Sequence, residues 1–194
     1  MRISRRAPDG IIEAVGEEGA DLIIFGWGGP ATAGQQAAAA ARGTAQSVFS
    51  PTIDAVVRES PCDIAVVKQR GIDHVDSILV PVRGGPHAEL ALRLAQTLAR
   101  RFDAQVVVMH IVPKGIGERA MQRERQALDR FVRDHGGTKK INPLLREATN
   151  VRTAIIREAS HHGLVVMGAG AQPADARDGG YLFGAVVNHP VTVS

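Results

Sequence analysis

Three short glycine-bearing stretches hold the residues whose types and order could bind an anion. In VDSILVPVRGGPHAELALRLAQTLARRF, Pro81-Val82-Arg83-Gly84-Gly85 stands between a strand pattern and a helix pattern. Backbone amides of such a turn, with the helix N-terminus behind it, favour a phosphate or carboxylate. Arg83 adds a permanent cation beside them. The same glycines would equally serve a tight turn whose dihedrals other residues avoid, and both readings stay open. Gly168-Ala169-Gly170 follows LVVM, and Gly26-Trp27-Gly28-Gly29 follows LIIF. His110 ends another apolar run and points toward the crevice beside the first two stretches, or toward its opposite face. Trp27 reads as a lid on a crevice or as a contact between chains.

Catalytic signatures are missing. There is no GxSxG elbow, no HExxH, no GxxxxGK[ST] and no pair of acidic residues at matched strand ends. Cys62 is the only cysteine, which excludes an internal disulfide or a thiolate metal cluster and fits a reducing compartment. It reads as a small hydrophobe at the start of a strand. His161-His162 follow a helix pattern and read as a cationic C-terminal cap, not as metal ligands. No metal site is expected.

Composition narrows the partners. The 194 residues are 44% hydrophobic and 22% charged, with 23 basic against 20 acidic side chains and a formal charge of +3. The charges occur in mixed-sign runs such as ERAMQRERQALDRFVRD, read as a solvated helix with neighbouring ion pairs. One Trp, one Tyr and five Phe leave little for base stacking, so nucleic acid is not an expected partner. No apolar run reaches spanning length, and MRISRRAPDG has no apolar region behind its arginines. A cytoplasmic chain with no direct membrane insertion is expected, and a membrane-bound parent stays open.

These residues need elements to position them. RISRRAPDGIIEAVGEEGADLIIFG matches LREATNVRTAIIREASHHGLVVMG, with Leu22 to Gly26 against Leu164 to Gly168. That repeat predicts a C-terminal half-domain over residues 1–69, a linker over 70–74 and a complete domain over 75–194. The half-domain cannot cover both faces of its own sheet, and homodimerisation is one remedy. In the complete domain, strand patterns cover Ser77 to Val82, Gln105 to Val112, Ile141 to Glu147, Leu164 to Met167 and Val191 to Val193. Helix patterns cover Ala88 to Phe102, Ile116 to His135, Val151 to His161 and a short piece near Leu182 to Val187. In the first part, Ser50 should cap a helix that starts at Pro51. Alternating strands and crossover helices predict an α/β fold with a five-stranded parallel sheet, whose ligands bind beyond the carboxyl ends of strands.

ILVPVRGGPHAELALRLAQTLARRFDAQVVVMHIV, followed by AIIREA, LVVMGAG, LFGAVV and PVTVS, resembles the universal stress protein family over residues 76–194. GADLIIFGWGGP with SPTIDAVVRESPCDIAVV is similar to the C-terminal half of a second such domain. The GWGGP loop and tandem layout also resemble the cytoplasmic tails of some amino-acid permeases and cation transporters. The resemblance implies a Rossmann-like sheet of order 3-2-1-4-5 with helices on both faces, like that of adenine nucleotide alpha hydrolases. It further implies a sensing or regulatory module without catalysis, a homodimer through the last strand and, in some members, bound ATP or AMP. Nucleotide-binding members carry an Asp at the end of the first strand and a G-x2-G-x9-G-[ST] loop. Carried over by position, the nucleotide contacts would be Pro81, Val82, Arg83, Gly84, His110, Gly168, Gly170, Gly184 and Ala185. Gly26, Trp27, Gly29 and Ser50 form the corresponding loop of the first copy. The match departs at Arg83, where the Asp would stand, at the spacing of Gly170 and Gly184, and at Ala185, which lacks the hydroxyl. A nucleotide-processing α/β enzyme is the remaining alternative, but it lacks an SGGxDS-like or HxGH-like loop.

Overall fold

The computed structural model describes residues 6–27, 34, 49–68, 71, 74–83, 86–137 and 141–168. They fall into two compact units, divided between Gly71 and Ile72.

The first unit holds α1 (Ala7–Glu18), β1 (Leu22–Gly26), α2 (Pro51–Glu59) and β2 (Asp63–Val67). Gly19 ends α1 because it accepts φ 62°, which lets its N–H reach the Val15 carbonyl. Ser50 caps α2 as expected: its hydroxyl accepts from Ile53 N–H at 3.4 Å, and Pro51 occupies the first turn, where a missing N–H costs nothing. β1 and β2 run parallel, from Leu22 opposite Asp63 to Gly26 opposite Val67. Val15, Phe49, Ile53 and Val56 are buried. Alternation along the strands leaves Leu22, Ile24 and Val67 on one open face, Ile24 at 65% exposure.

The second unit holds β3 (Ser77–Val82), α3 (Pro86–Phe102), β4 (Gln105–Pro113), α4 (Glu118–His135), β5 (Ile141–Ala148), α5 (Val151–Ala159) and β6 (Leu164–Val165). All pairings are parallel, in the order β5-β4-β3-β6. This matches the first four strands of the expected 3-2-1-4-5 order. The expected fifth strand at Val191 to Val193 and the helix near Leu182 to Val187 lie outside the described residues. β3 is central, and Ile78, Leu79 and Val80 are fully buried, as its unbroken apolar run requires. Ile78 and Val80 join Leu92, Ala95, Ala99, Val106, Val108 and Leu128 in one core. The alanines on α3 let the helix approach the sheet closely.

Helix ends differ slightly from the sequence pattern. α4 starts at Glu118 because Gly117, at φ 81°, lies in a region that no helix uses. α5 is capped by Asn150, whose side chain accepts from Thr153 N–H at 3.0 Å, and it stops at Ala159. His162 therefore lies beyond the helix. Its Nδ1 is 2.7 Å from the Ser77 hydroxyl at the start of β3, and burial holds its pKa below the ordinary value. The cationic cap expected there is corrected: a ring that resists protonation packs on the sheet instead.

Candidate functional site

β3 ends in Pro81, which is buried, and Val82, which is half-buried; Arg83 follows and is exposed. Side chains alternate along a strand, so this order turns the chain from core to solvent over three residues. Val82 is paired with His110 on β4. His110 Nδ1 lies 3.1 Å from the Val82 carbonyl oxygen, and its Nε2 lies 3.0 Å from Glu124 Oε2 on α4. The ring thus bridges the last carbonyl of β3 to a carboxylate of α4, which fixes the direction in which the chain enters its turn.

On the other flank of β3, β6 pairs through Ile78 opposite Leu164 and Leu79 opposite Val165, and Val166 N–H donates to the Leu79 carbonyl at 2.9 Å. This alignment carries the chain to Gly168, which packs on the backbone of His87 in the first turn of α3. A Cβ at Gly168 would overlap the His87 carbonyl. The glycine is needed because two backbones touch here. Pro81, Val82, Arg83, His110 and Gly168 are therefore gathered at the carboxyl end of β3, beside the N-terminus of a long helix. The placement suits an anion, since the first N–H groups of a helix have no partner within it.

Other candidates lie elsewhere. Gly84, Gly170, Gly184, Ala185 and Gly29 fall outside the described residues. Gly26, Trp27 and Ser50 belong to the first unit. There the Trp27 ring meets Phe49 edge-on at 5.5 Å and has Lys68 Nζ 5.6 Å from its centroid, while the Trp27 backbone N–H donates to the Val67 carbonyl. Two residues were invisible in the sequence reading, His87 and Glu124. His87 touches the site through its backbone, which no residue type signals. Glu124 sits among many charges in α4, and only the packing of α4 on β4 singles it out.

A second histidine cluster lies at the opposite end of β3. Ser77 Oγ, His162 and Glu158 line up, with His162 Nε2 3.8 Å from Glu158 Oε1. The atoms are those of an acid–base triad, but the His162 side chain is only 7% exposed. A substrate carbonyl has no approach to it, and the cluster fastens α5 to the sheet. Among the described residues no group of His, Cys, Asp or Glu could hold a metal ion, and no helix is long and apolar enough to cross a membrane.

The model of the universal stress protein family matches residues 1–68 and 74–189. The chain belongs to the universal stress protein family. No curated protein matches it significantly. Among solved structures, a universal stress protein from Pseudomonas aeruginosa UCBPP-PA14 is similar at 19% identity and a TM-score of 0.61, over 96% of this chain and 64% of that one. A universal stress protein from Archaeoglobus fulgidus DSM 4304 is similar at 14% identity and a TM-score of 0.53, over 82% of this chain and 53% of that one. These likenesses support the fold. The chain spans only about half to two-thirds of the length of these relatives. In this universal stress protein, the parallel order around β3 and the convergence of Arg83 and Gly168 occur in a single unit.

Proposed function

We propose that the chain is a universal-stress-protein sensing or regulatory module, without catalysis, that takes ATP or AMP at the carboxyl end of β3. The observation that carries this reading is the seating of Gly168 on the first turn of α3, next to the turn that begins with Arg83. Phosphate oxygens would meet the α3 N-terminus and the Arg83 guanidinium. Arg83 cannot accept a hydrogen bond, so the ribose or adenine loses an acceptor that an Asp would supply. A hydrogen bond to a charged group is worth about 1.5–3 kcal/mol, and one or two such losses move a site from the micromolar toward the millimolar range.

The tandem arrangement, with a partial first domain before a complete second, belongs to the same proposal. It is favoured by the internal match of residues 22–26 with 164–168. A homodimer in the cytoplasm is the proposed working form. The relatives' descriptions contain no transporter, and the transporter-tail alternative is not carried further.

Calorimetric titration with ATP and AMP tests the nucleotide reading, with Arg83→Ala and Arg83→Asp alongside. Saturable binding, weakened about tenfold or more in Arg83→Ala, is expected if the guanidinium meets phosphate. Absence of binding by the wild type at millimolar nucleotide would reject the site.

A further inference from the structure

Residues 22–26 align without a gap with residues 164–168, and each stretch follows a helix, α1 in one case and α5 in the other. The second unit therefore shows what covers such a helix and strand. β3 runs parallel beside β6, with Ile78 opposite Leu164 and Leu79 opposite Val165. α5 lies against β3 and β5. Leu164 and Val166 pack on a core that includes Ala91, Leu92 and Ala95 of α3, and Gly168 sits on the His87 backbone at the start of that helix. One strand–helix segment, β3 with α3, thus supplies both the edge partner and the cover.

In the first unit the corresponding positions are bare. Leu22 and Ile24 are 40% and 65% exposed, and a Cβ built at Gly26 meets nothing within 4 Å. The Trp27 backbone N–H donates to the Val67 carbonyl on β2. Hydrogen-bonding directions alternate along a strand, so the Ile24 N–H points away from β2, toward an edge with no partner strand among the described residues. Its counterpart, the Val166 N–H, donates to the Leu79 carbonyl. An apolar groove lined by Gly10, Ile11, Ala14, Val15, Leu22 and Ile24 runs between that edge and α1. Ile11 is only half-buried there, whereas its counterpart Ile155 is buried.

We propose that the first unit docks a strand–helix segment of another polypeptide. Its apolar strand would pair in parallel with the free edge of β1, and its helix, with small residues on the inner face, would cross Leu22, Ile24 and Gly26. The inference rests on the repeat and is independent of the nucleotide reading. Main-chain hydrogen bonds hold a strand added to a sheet edge, and its side chains give the contact its specificity. A folded second copy is a poor source of the segment, because its own β3 is enclosed between β4 and β6 with Ile78, Leu79 and Val80 fully buried. Nor does the same face of a second copy fit well, since a twofold axis would set β1 antiparallel to itself and bring no helix to the space over Gly26.

A labelled peptide of residues 75–102, this chain's own β3–α3 sequence, serves as the probe against the whole protein. Binding is read by fluorescence anisotropy and by hydrogen exchange at the Ile24 amide. Saturable binding that slows this exchange is expected. Ile24→Lys should weaken it about tenfold or more, by placing a charge beneath the helix. Gly26→Val should do the same by filling the place of the helix backbone, yet it meets open space in the free protein and should leave thermal unfolding unchanged. Binding indifferent to both variants would overturn the proposal, as would absence of binding. In the latter case the Ile24 amide tells two failures apart. Slow exchange in the protein alone would mean that the chain covers this edge itself, and the reading of a partial first domain would fail too. Fast exchange would leave that reading standing without a partner of this kind. Self-association that Ile24→Lys abolishes, with no peptide bound, would overturn the proposal in favour of a second copy.

Discussion

His162 is held where its ring resists a proton. Burial is the largest cause of its lowered pKa and outweighs the attraction of Glu158. As pH falls, the unfolded chain takes up this proton first, near the ordinary value of 6.5, while the folded ring stays neutral to lower pH. The stability gained by burying the neutral ring is therefore complete above that value and declines below it. Replacing His162 by Asn keeps a polar atom near the Ser77 hydroxyl and removes the titration. Thermal unfolding of the wild type should lose more stability between about pH 7 and pH 5 than His162→Asn does. Parallel pH profiles would show that the ring titrates alike in both states. The sequence gives no sign of this behaviour, because a His-His pair after a helix reads as polar surface until the chain is seen to fold back on the first residue of β3.

At the scale of elements, the glycine that joins β6 to α3 sets how closely the two approach. Gly168→Ala requires the His87 carbonyl to move, at a cost of about 1–3 kcal/mol by analogy with overpacked cores. Urea unfolding should register that loss, and unchanged stability would mean that the contact relaxes freely. β3, α3, β4 and α4 were legible in the sequence because each is long and strongly patterned. β3 and β4 are apolar on both faces, and the helices repeat their apolar residues at steps of three and four. Helix ends were less legible, since Gly117 stops α4 through its dihedral and not through polarity. Contacts between elements were not legible at all. Nothing local marks Glu124 as the partner of His110, or ties Gly168 to His87, because each pairing exists only once the helices lie on the sheet.

Across the whole molecule, the two units differ in how completely they cover their strands. In the second, the central strand has neighbours on both sides and a fully buried run of side chains. In the first, the sheet has two described strands, and LIIFG carries Leu22 and Ile24 into the open. A two-stranded sheet of this size is marginal alone, so this unit relies on the packing of α1 and α2. LIIFG is uncharged, β-prone and free of proline, the composition that stacks into cross-β fibrils when chains meet strand to strand. Heating should therefore drive this protein into insoluble, thioflavin-positive aggregates as its first unit loosens. Ile24→Lys should raise the temperature at which light scattering begins while leaving the core of the second unit untouched, because a charge in mid-strand repels the next chain in a stack. Scattering that starts at the same temperature in both would place the nucleus of aggregation elsewhere. The apolar face that a folded neighbour would prize is thus also the place where the unfolded protein becomes a template for itself.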